Sequence, residues 1–160
     1  ALHVALILQR TGAHAEVLQP ALLHDVVEDC DGWTLERVER EFGAEVQGVV
    51  AELTEDKTST WEQRKAAQVE HVPRLSRAAL AVKAADKLHN LRTLAADLES
   101  APDPARVWSR FHGGRERTLE MSRRLVGALA ARCDVRLAAA LRSALAGLEA
   151  AALRDRTRSG

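Results

Sequence analysis

Apolar residues recur along this chain at steps of three and four, and no segment alternates apolar and polar residues with a period of two. That spacing is the signature of helices packed along one side. Residues 1–11 read as the end of an amphipathic helix stopped by Gly12. Residues 15–30 read as a second helix, bent rather than ended by Pro20. Thr34 caps a short helix that Gly43 closes, and residues 44–53 put Val46, Val49, Val50 and Leu53 on one face. A polar stretch, 54–60, is loop-like, and helix resumes over 61–72 until Pro73. The most sustained signal before the tail is 76–98, where Leu80, Ala84, Leu88, Leu91, Ala95 and Leu98 form a core-facing stripe. After a turn at 101–104, residues 105–132 are helical with an interruption at Gly113–Gly114. Residues 134–153 give a last Ala/Leu-rich helix with Arg on its outer face, followed by a frayed basic tail. The expected fold is all-α, a single-domain helical bundle.

Composition agrees with this. The chain has 160 residues, enough for one domain with a real core, and aromatic residues are only 3% of it, which favours helix over sheet. Lys+Arg and Asp+Glu both total 23, so there is no basic footprint of a nucleic-acid binder. No apolar run reaches membrane-spanning length and no signal peptide is visible, so no membrane partner is expected. Cys30 and Cys133 have neither zinc nor redox spacing and fit a reducing cytoplasm. The 134–153 helix offers a face on which a homo-oligomer can form. Ala1 stands inside a helical pattern with no cap before it, so the reading expects further residues upstream.

Chemistry concentrates in two places. The run Ala21-Leu22-Leu23 leads into His24 and Asp25, with Glu28 and Asp29 four positions later, and Asp31 and Gly32 close behind. On one continuous helix His24 lies above Glu28 and Asp25 above Asp29. Four carboxylates then crowd a helix C-terminus, whose dipole already disfavours anions. A bound divalent cation reverses the sign of that argument, since histidine and carboxylates are its ordinary ligands; an acidic surface turn is the plain alternative. The second place is Asp86, which shares a helical line with Val82, Asn90 and Thr93 but is surrounded by Ala and Leu. A carboxylate there is costly unless it is paired or binds metal. Lys57, Lys87, Arg64, Lys65 and Arg92 are candidates for phosphate contact, against the plain reading of a solvated face. His89 reads as structural, and His14, His71 and His112 as surface or packing residues.

Taken together, His24-Asp25-Val26-Val27-Glu28-Asp29 and Ala85-Asp86-Lys87-Leu88-His89-Asn90-Leu91-Arg92-Thr93 resemble the HD-domain metal phosphohydrolases. Within them, the hydrolase domain of the RelA/SpoT alarmone enzymes is most similar. Phe42-Gly43-Ala44-Glu45-Val46, Leu53-Thr54-Glu55-Asp56-Lys57 and Glu62-Gln63-Arg64-Lys65 support the resemblance, which runs from about residue 4 to about residue 98. Trp108-Ser109-Arg110-Phe111-His112-Gly113-Gly114 is similar to a block of stand-alone bacterial members. With no room for a synthetase domain, the chain resembles a small hydrolase-only relative. Residues 1–154 are then the HD domain, with a truncated N-terminal helix, and 155–160 a disordered basic tail.

The resemblance implies that His24, Asp25 and Asp86 are ligands of one divalent metal ion, manganese in this family. It makes Glu28 and Asp29 the pair that positions and activates water, and Asn90 and Thr93 part of the nucleotide site. The implied reaction is removal of the 3′-pyrophosphate from guanosine tetra- or pentaphosphate. There is one departure: the family's first histidine ligand aligns one residue before Ala1, and His3 falls a turn too late to replace it. The parts suit phosphoester hydrolysis on chemical grounds as well. A metal lowers the pKa of water, and Glu28 or Asp29 can act as general base, a contribution of roughly a hundred- to ten-thousandfold. The sequence leaves open which of the two does so. It also leaves two other functions open: the same chemistry on another phosphorylated nucleotide, and a non-catalytic nucleotide-binding module.

Overall fold

A computed structural model of the chain describes residues 1–55 and 58–158, without the side chains of 155–158. It is all-α. The helices are α1 (Leu2–Arg10), α2 (Ala15–Leu23), α3 (Val26–Asp29), α4 (Leu35–Phe42), α5 (Ala44–Leu53), α6 (Trp61–His71), α7 (Arg77–Ser100), α8 (Pro104–Trp108), α9 (Gly114–Ala130) and α10 (Val135–Arg158), with a 3-10 turn at Val72–Arg74. Among the described residues there is no strand, and no helix is long and apolar enough to cross a membrane. Two compact units divide the chain, residues 1–86 and 87–160, the boundary falling inside α7.

Local chemistry explains most helix ends. Thr34 Oγ1 accepts from the Arg37 amide at 3.3 Å and starts α4. Thr60 and Gln63 form a reciprocal cap at α6. The Thr60 hydroxyl accepts from the Gln63 amide at 3.3 Å, and Gln63 Oε1 accepts from the Thr60 amide at 2.9 Å. Pro73 ends α6 by converting its continuation into the 3-10 turn.

Three expectations change. The segment 15–30 is not one helix: α2 stops at Leu23, and His24 and Asp25 form the turn before α3. Asp25, at φ −101° and ψ −1°, caps α3. Its carbonyl accepts from the Glu28 amide at 3.1 Å and the Asp29 amide at 2.9 Å. The expected one-turn relation therefore holds for Asp25 and Asp29, whereas the Glu28 amide bonds to Asp25 and not to His24. The break lies between helices whose apolar residues pack the same way. Leu23 from α2 and Val26 and Val27 from α3 all lie against buried Val38, Val46 and Val50, and that packing overrides local helical preference. Residues 105–132 likewise split into α8 and α9, around the expected Gly113–Gly114 interruption but with the break extended from 109 to 113. Finally, α10 runs to Arg158, past the end near 153 expected from its apolar pattern.

In the first unit the core that holds the α2–α3 turn is the Val38, Val46 and Val50 cluster, with Trp33 and Leu35 against it. Val38 and Val50 are fully buried, each worth about 1.5–3 kcal/mol relative to exposure. Trp33 stacks on Phe42 with centroids 6.1 Å apart, and the Arg37 guanidinium lies 4.2 Å over the Trp33 ring. The buried positions of α7 include Leu80, Val82, Ala84, Ala85, Leu88, Leu91 and Leu98, most of the expected stripe, with Ala95 only half-buried. In the second unit, α9 and α10 form a hairpin around Leu129, Leu141 and Leu148, tied by Arg115 Nη2 donating to the Ala152 carbonyl at 2.7 Å.

Gly43 joins α4 to α5 at φ 89° and ψ 163°, and a methyl group built there meets nothing within 4 Å. The constraint is therefore in the backbone, in a region that only glycine occupies readily. Gly43→Ala is expected to lower stability by about 1–3 kcal/mol without disturbing a contact. A thermal melt unchanged from the parent would show that α4 and α5 can be joined another way.

Candidate functional site

The site begins with the break after α2. Because the chain turns at His24, the imidazole is directed inward and is only 6% exposed. Its Nδ1 lies 2.9 Å from the Ala21 carbonyl oxygen. A carbonyl only accepts, so that contact puts a proton on Nδ1. Nε2 is then left to face Asp25 Oδ2 at 3.0 Å and Asp86 Oδ1 at 3.7 Å, yet this buried nitrogen has no aligned hydrogen bond. A neutral ring would aim a lone pair at two anions. Only a positive charge makes the arrangement favourable, either a second proton or a cation shared among the three groups.

The titration behaviour expresses the same conflict. Burial alone would keep the ring neutral, but the Asp25 and Asp86 carboxylates outweigh it and raise His24 from 6.5 to about 10. Asp25 is lowered in return, chiefly by the His24 ring and against burial. Lys83 adds a smaller pull on Asp25.

The donor set suits a divalent ion. Two ligands each about 2.1 Å from one ion, at 90–110° to each other, are about 3.0–3.5 Å apart. The His24–Asp25 separation falls in that range and His24–Asp86 slightly outside it. Among the described residues no three such side chains form a finished metal shell. An ion would have to draw the Asp86 carboxylate a few tenths of an ångström inward. Asp86 is one-third exposed, which leaves it room to turn.

Glu28 and Asp29 separate in character. Glu28 is half-buried, and its Oε1 accepts from the Glu55 amide at 2.8 Å. Asp29 is exposed. Beyond Glu28, in the first unit, a cavity of about 100 Å³ is lined by Glu55, Arg64, Gln68 and Lys83 among others. Burial lowers the Lys83 pKa, opposed by Glu55, Asp86 and Glu28. Lys83 thus supplies positive charge among three carboxylates.

The other sequence candidates are distributed unevenly. Arg64 and Lys65 both reach Glu55, at 3.5 and 3.4 Å. Lys87 donates from Nζ to Ser122 Oγ at 3.0 Å, a buried hydroxyl of α9 in the second unit. Asn90, Arg92 and Thr93 are exposed on α7. Lys57 lies outside the described residues. Lys83 and Glu55 were missed as site residues. The signal for Lys83 was available, since it precedes Asp86 by three positions on a helix and so shares its face. Glu55 is drawn in by tertiary contacts that no local spacing reveals.

Comparison with known proteins covers the same region. A profile of the HD domain matches residues 1–116. Guanosine-3′,5′-bis(diphosphate) 3′-pyrophosphohydrolase MESH1 of Xenopus tropicalis is 50% identical over 95 residues, covering 58% of this chain and 52% of that protein. The Homo sapiens protein of that name is 56% identical over 78 residues, covering 49% and 43%. The matched stretch therefore spans about half the length of these curated relatives. Among solved structures, a Listeria monocytogenes EGD-e protein superposes with a TM-score of 0.79 at 32% identity, covering 92% of this chain and 95% of its own. A protein described as a metazoan ortholog of SpoT that hydrolyzes ppGpp gives 0.73 at 33% identity, covering 89% and 75%.

With its pKa raised to about 10, the His24 ring would hold a second proton at neutral pH, which an ion taking Nε2 would displace. Titrating manganese into metal-free protein at pH 7 in weak buffer is expected to release close to one proton per ion bound. Apparent affinity is expected to fall about tenfold for each pH unit lowered. The sign for stability is opposite. A folded pKa raised above 6.5 contributes stability that is complete below pH 6.5 and is lost as pH rises through about 10. The metal-free protein should therefore melt earlier at pH 10 than at pH 7. Tight manganese binding with no proton release would disprove this account of His24.

Proposed function

We propose, on the premise that this chain belongs to the HD-domain family, that it is a metal-dependent hydrolase removing the 3′-pyrophosphate of guanosine tetra- or pentaphosphate. The observation that carries the reading is the buried His24 Nε2 facing oxygens of Asp25 and Asp86 with no hydrogen bond of its own. The substrate class is supported by the relatives at 50% and 56% identity, whose names give that nucleotide and that reaction.

In this reading His24, Asp25 and Asp86 hold one divalent ion, manganese by family resemblance. When bound, the ion lowers the pKa of a water molecule and neutralises phosphoryl oxygens. Glu28 takes the proton of the attacking water, its carboxylate held by the Glu55 amide. Asp29, exposed one position farther on, orients that water. Attack at phosphorus breaks the bond to the ribose 3′ oxygen, which takes up a proton. It releases pyrophosphate together with the 5′-diphosphate from the tetraphosphate or the 5′-triphosphate from the pentaphosphate. Arg64 and Lys83 line the neighbouring cavity and suit an anionic substrate. The resemblance also assigns Asn90 and Thr93 to nucleotide contact.

Incubation with ppGpp and manganese is expected to yield GDP and pyrophosphate. Glu28→Gln should lower kcat by roughly a hundred- to ten-thousandfold while manganese still binds. Asp86→Asn should weaken manganese binding by more than the ~10–100-fold typical of losing an outer-shell partner. If ppGpp is untouched while another phosphorylated nucleotide is hydrolysed, the HD chemistry stands and the substrate assignment falls.

A further inference from the structure

Glu55 has two attachments at once. Its amide donates to Glu28 Oε1 at 2.8 Å. Its carboxylate, in a side chain only 18% exposed, accepts from Arg64 Nη1 at 3.5 Å, Lys65 Nζ at 3.4 Å and Gln68 Nε2. These three donors occupy consecutive turns of α6. Glu55 itself is in the loop that follows α5, and an amide in a loop turns freely unless its residue is held. Three bonds to one helix are what holds it. They are the wrong contacts for a residue that merely solvates a surface, because a carboxylate so enclosed must be compensated by charge on several sides. Lys83 adds to that compensation from α7.

We propose that Glu55 is a positioning residue. With its carboxylate clamped to α6, its backbone N–H sets the orientation of the Glu28 carboxylate. The effect passes through the backbone, so any side chain that keeps the clamp can perform it. The inference rests on the reading of Glu28 as the group that takes the proton from water. None of the clamp's three bonds involves His24, Asp25 or Asp86, so its loss falls chiefly on the proton-transfer step.

The test combines kinetics with a measurement that needs no turnover. Glu55→Ala should lower kcat about 10–100-fold, the scale of an ångström of misplacement at a reacting group. KM for ppGpp should stay within about twofold, and manganese stoichiometry should not change. Glu55→Gln keeps an oxygen for the α6 donors and should recover most of the activity. In a Glu28→Gln background, Glu55→Ala should cost less than about twofold, because residues acting as one unit are not additive. Independently, hydrogen exchange at the residue 55 amide should quicken about tenfold in Glu28→Ala, in Glu55→Ala and in Gln68→Ala, a milder change outside the loop. Unchanged exchange at residue 55 in all three, or a full kcat loss in the Glu28→Gln background, overturns the proposal. Absence of hydrolysis of any phosphorylated nucleotide by the parent protein overturns the hydrolase reading instead, and the exchange measurement then decides the clamp alone.

Discussion

Everything at the site follows from the commitment of one imidazole nitrogen. His24 Nδ1 is tied to the carbonyl of Ala21, one turn back in α2, which fixes both the tautomer and the plane of the ring. The other nitrogen is consequently pointed at two carboxylates from segments sixty residues apart in sequence. The buried ring, faced by two part-exposed carboxylates, favours a positive charge between them. The fold supplies the constraint, and the chemistry is what relieves it.

The helix breaks at the residues that carry that constraint. His24 and Asp25 both keep right-handed helical dihedrals at the break, and their side chains meet at 3.0 Å. On either side of the break Leu23, Val26 and Val27 all remain in the apolar cluster around Val38 and Val50. The sequence gives no warning of it. Residues 21–29 contain neither glycine nor proline, and each is tolerated in a helix. The break belongs to tertiary packing, which local propensity does not encode. By contrast, α4, α5 and α6 were legible because their ends are written in side chains: Thr34, Gly43, Thr60 and Pro73 each perform locally what their chemistry suggests.

The site was legible to a similar degree and for similar reasons. His24, Asp25 and Asp86 stood out because charged groups inside apolar helical runs conflict with burial, and the structure brings Asp86 within 3.7 Å of the His24 ring. Cations were harder. A lysine on a helix looks the same in sequence whether it meets a phosphate or a hydroxyl, and Lys87 meets Ser122. Lys83 passed as one more polar residue in a helix read for its alanines. Glu55 could not be found from spacing at all, since its partners come from α6 and from the α2–α3 region, reached through folding.

The reciprocal cap of Thr60 and Gln63 acquires a wider meaning from its position. Helix ends fray, and the opening turn of α6 is the one that leads into Arg64 and Lys65. An N-cap contributes about 1 kcal/mol, which is about a fivefold change in how often that turn is unwound. The cap on this exposed threonine therefore bears on how often the turn leading into Arg64 and Lys65, which reach Glu55, is wound. Substitution at position 60 would touch none of His24, Asp25 or Asp86 and would still loosen the helix end that meets Glu55.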